Sequence, residues 1–117
     1  MSITRKGTGA RMSASVSYNG MVFLSGQVGD DFSSTGLEDQ AKSVLAKIDG
    51  LLADAGTDKT KLISATIYLK DIANDFNKMN PVWEAWLPEG GAPARATVEA
   101  PMAHPDILIE ISIIAAA

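Results

Sequence analysis

Two residues in the last quarter of the chain carry most of the chemistry this sequence offers. Arg95 opens the extended run Arg95-Ala96-Thr97-Val98-Glu99 behind Pro93-Ala94, and Glu110 interrupts Asp106-Ile107-Leu108-Ile109-Glu110-Ile111-Ser112-Ile113-Ile114. A guanidinium offers a planar donor fork matched to a carboxylate, worth about 1.5 to 3 kcal/mol per charge-assisted bond in a shielded site. A carboxyl group in mid-strand adds nothing to strand propensity and is costly to bury without partners. Broken local rules of this kind tend to mark sites. Successive strand side chains point to opposite faces, so Ile107, Ile109, Ile111 and Ile113 share one face while Leu108, Glu110, Ser112 and Ile114 share the other. By the same alternation Arg95, Thr97 and Glu99 lie on one side of their strand. If the two polar faces coincide in one sheet, an arginine fork and a carboxyl group line one cleft. On the residues alone, Arg95 reads equally as a surface residue paired with Glu99 and as an anion-binding group. Glu110 reads somewhat more readily as a surface glutamate on an open sheet face than as a catalytic group.

Other chemistry finds less support. Cysteine is absent and His104 is the one histidine, which excludes thiolate nucleophiles and disulfides and leaves no expectation of a transition-metal site. His104 sits in Pro101-Met102-Ala103-His104-Pro105, expected to be an exposed loop. Gly90-Gly91 lacks the strand, loop, helix and lysine context of a phosphate cradle. Trp83 and Trp86 read as core anchors rather than a stacking platform, and a serine nucleophile cannot be assigned without a base partner.

Composition narrows the class further. A chain of 117 residues, 46% hydrophobic and 21% charged, fits one domain over residues 1–117 with a core of its own. A formal net charge of -4, with the basic residues scattered, opposes a nucleic-acid footprint. No stretch approaches the length of an apolar membrane span, and none near the N-terminus resembles a signal peptide, so a cytoplasmic location is expected.

The elements that must position Arg95 and Glu110 follow from periodicity and turn chemistry. Ile3 to Lys6 gives a weak first strand. Ser15–Tyr18 and Met21–Ser25 flank Asn19-Gly20, a two-residue hairpin signal. Gly26, between Ser25 and Gln27, reads equally as a strand-end bulge and as a place of close backbone approach. After a polar loop over residues 29–35, Thr35 and Glu38 match a capping box. Leu37, Ala41, Val44, Leu45, Ile48, Leu51, Leu52 and Ala55 then form the apolar stripe of a helix of about five turns that stops at Gly56. Leu62 to Lys70 alternates as a strand with Ile63, Ala65, Ile67 and Leu69 toward the core. Phe76, Met79, Trp83 and Trp86 keep a helical phase across residues 74–87, and the unbroken phase favours one helix kinked at Pro81 over a fresh start capped by Asn80. The expected architecture is one sheet with two helices on one face. The opposite face, expected to hold Phe23, Ser25, Thr66, Tyr68, Thr97, Glu99, Glu110 and Ser112, is uncovered and too apolar to be left in water, which points to self-association.

Ser25-Gly26-Gln27, the helix through Leu37, Ala41 and Leu45, the segment from Asn80 to Trp86, Pro93-Ala94-Arg95-Ala96-Thr97-Val98-Glu99 and Leu108-Ile109-Glu110-Ile111 together resemble the RidA/YjgF family, the reactive intermediate deaminases. The likeness covers nearly the whole chain from Val16 onward. It implies an α+β, chorismate-mutase-like fold of the bacillus type: a mixed β-sheet with two helices packed on one face, assembled as a homotrimer with sites between subunits. It also implies hydrolysis of 2-imino or enamine acids, of the 2-aminoacrylate and 2-iminobutyrate type, to 2-keto acids and ammonia, with no cofactor. Carried onto this chain, Arg95 would grip the substrate carboxylate, and Glu110 would hold the attacking water and relay a proton. Ser25, Gly26 and Thr97 would line the pocket, with Asn80 near it. The family's best-studied branch has a tyrosine in a Gly-Pro-Tyr segment where this chain has Ala10-Arg11-Met12-Ser13, so Met12 supplies no hydroxyl, and Thr97 stands where a cysteine is frequent. The alternative function is a non-catalytic module that binds a small carboxylate or a partner protein in the same cleft. The RNA-directed activity attached to some relatives is disfavoured by the acidic balance.

Overall fold

The computed structural model describes residues 2–33 and 35–117. Met1, and Ser34 in the loop expected over residues 29–35, lie outside the described residues. Along the chain run β1 (Thr4–Lys6), β2 (Ser15–Tyr18), β3 (Met21–Leu24), α1 (Leu37–Asp54), a 3-10 turn (Lys59–Lys61), β4 (Leu62–Leu69), α2 (Ile72–Trp86), β5 (Ala94–Glu99) and β6 (Ile109–Ala116). The strands form one mixed sheet in the order β1-β2-β3-β6-β4-β5. All pairings are antiparallel except β4 with β5, which α2 connects as a crossover helix, the link a parallel pair requires.

The hairpin forms as its turn residues dictate. Tyr18 pairs with Met21, and Asn19 and Gly20 take φ of 52° and 76°, the left-handed pair that matches the twist of the flanking strands. Both helices cover the face that carries Val22, Leu24, Ala65, Ile67, Leu69, Ile109, Ile111 and Ile113, against the α1 stripe of Leu37, Ala41, Val44, Leu45, Ile48 and Leu52 and against Met79 and Trp83 of α2. α1 stops where Gly56 adopts φ of +82°. α2 runs unbroken through Pro81, as the apolar phase implied, but starts earlier than expected, because Asp71 caps it by accepting from the Asn74 amide at 3.3 Å.

Four expectations are corrected. The capping box does not form: Gly36 is the N-cap, with no side-chain cap, and the Thr35 hydroxyl donates to the Asp31 carbonyl instead, since Thr35 lies one residue too far from the helix. Ile63 is 43% exposed rather than core, because the register shifts between Leu62 and Ser64 and releases it from the alternation. β6 begins at Ile109 rather than Asp106, the preceding residues forming its approach, and reaches Ala116.

The fourth correction concerns the faces. Arg95, Thr97 and Glu99 align with Ala65, Ile67 and Leu69 in the parallel pair, and aligned residues share a face. The polar side of β5 therefore lies under the helices, while Glu110, aligned with Tyr68, lies on the uncovered face.

Asp75 of α2 is 8% exposed. Burial pushes its carboxyl above the ordinary value of 3.8, opposed by Lys78. A folded state that holds this proton more tightly than the unfolded chain loses stability as pH rises from that ordinary value through the raised one. Asp75→Asn should therefore melt at higher temperature than the wild type at pH 7, with the difference vanishing below pH 3.8. Circular-dichroism melts across that range check it, and a lower melting temperature at pH 7 would refute it.

Candidate functional site

The residues singled out by sequence fall into two groups, one on each side of the sheet. On the helix side, α2 presents Phe76, Asn80 and Trp83, spaced four and three residues apart and hence on one helix face. The Arg95 Nη1 donates to Asn80 Oδ1 at 3.0 Å. Its guanidinium carbon lies 5.9 Å from the centre of the Phe76 ring and 6.0 Å from that of Trp83, near the outer limit of attraction between a cation and an aromatic face. Two aromatic walls and one amide thus hold the fork, leaving its remaining donors for a ligand. The anticipated pair with Glu99 does not form; Glu99 accepts from the Ile72 amide at the start of α2. Two residues from Arg95 on the same face, the Thr97 hydroxyl oxygen is buried with no hydrogen-bond partner among the described residues. Orphaned buried donors are rare, and this one lies next to the group suited to an anion.

On the uncovered face, Glu110 rests on Gly26. A Cβ built at residue 26 would meet the Glu110 Oε2 at 2.1 Å, so the glycine is required to leave room for the carboxyl group. Ser25 donates through its hydroxyl to the Ser13 carbonyl, and its amide donates to the Ala14 carbonyl at 3.0 Å. These bonds bring the loop carrying Met12, itself 64% exposed, beside Ser25 and Gly26. Gln27 exchanges both backbone bonds with Ile111, at 2.9 and 3.0 Å, which fixes Gly26 under Glu110.

Within one chain the two groups do not meet. Arg95 aligns with Ala65 and Ile113, three residues along β6 from Glu110, and β4 separates their strands. That amounts to about 10 Å along the strands and about 10 Å across them, on opposite faces. Two hollows on the chain contain neither residue. One of about 260 Å³ lies between α1 and α2 beside Leu45, Val82 and Trp86. The other, of about 410 Å³, is lined by the loop from Gly7 to Met12. Among the described residues no cluster of His, Cys, Asp and Glu is arranged to hold a metal.

Sequence reasoning did not assign Phe76 to the site and gave Trp83 a core role alone. Trp83 is indeed buried, at 4% exposure, while its ring also flanks Arg95. The spacing of Phe76, Asn80 and Trp83 was the available signal.

Fold and site define a two-layer α+β protein in which a guanidinium waits on one face of a mixed sheet and a carboxyl group on the other. The family model described as endoribonuclease L-PSP matches residues 4–117, and the chain belongs to this family, the YjgF/RidA family. It is 40% identical over 114 residues to a RutC family protein of Haemophilus ducreyi, covering 97% of this chain and 96% of that one. It is 39% identical over 116 residues to the RutC family protein YoaB of Escherichia coli, covering 99% of each. A YjgF family member from Neisseria meningitidis superposes with a TM-score of 0.94 at 44% identity, covering 99% of this chain and 95% of that one.

Gly26→Ala tests the contact beneath Glu110. Gly26 does not use positive φ, and the clashing atom is the far end of a flexible side chain. The variant should fold with a melting temperature close to that of the wild type while the Glu110 carboxyl ¹³C resonance moves. An unmoved resonance would mean that Glu110 does not rest there.

Proposed function

We propose that the chain is a hydrolytic deaminase of 2-imino and enamine acids of the 2-aminoacrylate and 2-iminobutyrate type, acting in clefts between subunits of a homo-oligomer, a trimer on the family resemblance. The observation that carries this reading is the Arg95 guanidinium, oriented by Asn80, Phe76 and Trp83 on the face of the buried Thr97 hydroxyl, while Glu110 stands on the opposite face of the sheet. Each group is individually prepared, and a site containing both requires two copies of the chain. The uncovered face, where Phe23 is 39% and Val98 41% exposed, offers apolar surface for that association.

In such a cleft Arg95 and the unpaired Thr97 hydroxyl of one subunit bind the substrate carboxylate, and Glu110 of its neighbour holds a water near C2. An iminium carbon is already electrophilic, so orientation and one acid/base group are sufficient chemistry. Glu110 takes a proton from the water as its oxygen bonds to C2, giving a carbinolamine. It then delivers that proton to the nitrogen, and as the C–N bond breaks the hydroxyl proton passes to the departing ammonia, so that the iminium and water leave as keto acid and ammonium. Imino acid and water give keto acid and ammonia, and Glu110 ends as it began. Nothing in this sequence needs a metal or an organic cofactor.

The second reading is a non-catalytic module that binds small carboxylates in the same cleft. It is favoured by Met12, which brings no hydroxyl to the loop beside Ser25. The acidic net charge of -4 favours neither reading over the other, but it opposes an RNA substrate.

The test is keto-acid release when a dehydratase generates iminobutyrate in situ. Wild-type protein should exceed buffer, Arg95→Ala should lose about tenfold to a hundredfold in kcat/KM, and Glu110→Gln about a hundredfold or more. If the two variants are unfolded, mixed in equal amounts and refolded together, about a quarter of the sites in a cyclic assembly regain both groups, one from each subunit. Recovery of no activity on mixing would refute the shared site. Thermal stabilisation by 2-ketobutyrate with no turnover would favour the binding module.

A further inference from the structure

Gln40 is 1% exposed in the first turn of α1, a burial unusual for a glutamine. Its Nε2 donates to the Asp106 carbonyl at 2.9 Å, to Thr35 at 3.2 Å and to Phe32 at 3.4 Å. Its Oε1 accepts from the Leu108 amide at 2.9 Å. Two amide hydrogens serve three carbonyls, so one is shared, and the side chain's donors are fully used. The proposed chemistry does not touch this residue.

What Gln40 ties together is nevertheless the surroundings of Glu110. Leu108 precedes Glu110 by two residues, and its carbonyl accepts from the Lys70 amide at 3.1 Å. With both backbone groups of Leu108 bound, the stretch that enters β6 is fixed at the point from which Glu110 projects. Phe32 and Thr35 belong to the loop that continues from Gly26-Gln27, the segment under the Glu110 carboxyl group. Both the floor beneath Glu110 and the strand that bears it therefore lead into loops that Gln40 joins to each other, the first of them tied also to α1 through Lys47 and Ser43. Arg95 has no such tie, being held by α2.

We propose that Gln40 is the positioning residue for Glu110: its amide clamps the approach to β6 and the loop after Gly26 together, and so sets where the carboxyl group stands. This rests on the deaminase reading only in assigning Glu110 the acid/base role. A displacement of about 1 Å in a catalytic group can cost about a hundredfold in rate, so the clamp acts on turnover rather than on carboxylate capture.

The experiment combines hydrogen exchange, NMR and kinetics on the wild type and Gln40→Met, a substitution of similar volume that removes all four bonds. In the wild type the Leu108 amide, whose acceptor is Gln40 Oε1, should be protected like its strand neighbours. An amide that exchanges as freely as an open loop would overturn the proposal even if the variant fails to fold. In Gln40→Met the amides of Leu108, Gln27 and Ile111 should exchange about tenfold faster or more, while those of Ile67 and Val44 stay unchanged. The Glu110 carboxyl ¹³C resonance should move, and kcat should fall about tenfold to a hundredfold with KM within about twofold. An unmoved Glu110 resonance, or a uniform loss of protection with kcat unchanged, would reduce Gln40 to an ordinary structural residue. A wild type without deaminase activity would sink the deaminase reading, and the exchange and resonance measurements would still decide the role of Gln40.

Discussion

The alignment of Ala65 with Arg95 on one side and Ile113 on the other governs the molecule. Once β4 pairs in this register, the two-residue period of a strand leaves no freedom. Arg95 must stand on the face where Ala65, Ile67, Ile111 and Ile113 meet the helices, and Glu110 on the face away from them. A slip of one residue between β4 and β5 would bring the guanidinium to the uncovered face, but it would expose Thr97 and turn Ala96 and Val98 inward. The burial of Ile67 and Leu69, both 0% exposed, holds β4 itself in place. Core packing therefore determines where Arg95 and Glu110 stand, and separates them.

The two halves are prepared by different means. Arg95 stands at the edge strand, where its own backbone constrains it little, and gains order from α2 through a hydrogen bond to the Asn80 side chain and two ring faces. An arginine suits this setting because its plane can stack while its edge donates. Glu110 belongs to a central strand, between β3 and β4, and its freedom is limited by the space that Gly26 leaves open. On the proposed reading, a cation oriented by side chains serves binding and a carboxyl group lodged over Gly26 serves proton transfer, where tolerance for movement is lower.

Much of this was legible in the residues. The α1 stripe, the Asn19-Gly20 turn and the isoleucine alternation of β6 are periodic signals set by local geometry, and each forms as expected. α2 was recognised through Pro81 because Phe76, Met79 and Trp83 keep their phase across it. What could not be read was pairwise. Alternation shows that Arg95 and Thr97 share a face, but which face depends on the register with β4, and that depends on a crossover whose geometry has no local signature. Ile63 failed for a related reason: a bulge resets the alternation without any glycine to announce it. The Thr35 box failed because Gly36 accommodates the helix start unaided. Gln40 passed unnoticed because a polar residue among apolar ones in a helix looks like solvent exposure until the loops it binds are in place. For the site, the residue types and their possible roles were visible, while their division between two faces was not.

That division also gives the uncovered face a meaning that its composition alone does not. Phe23 aligns with Ile114, and Tyr68 with Glu110 and Val98, so apolar side chains lie in cross-strand rows beside the Glu110 carboxyl group. A lone chain would leave this surface in water and Glu110 with it. On the proposed reading, a neighbouring copy removes water from the apolar rows and brings a guanidinium toward the carboxyl group in the same step. The surface that drives association and the surface that performs chemistry are then continuous, and electrostatic attraction between substrate carboxylate and Arg95 strengthens as water leaves. A change at Phe23 or Val98, far from any reacting atom, would thus act on catalysis through the population of assembled clefts rather than through the geometry of either half.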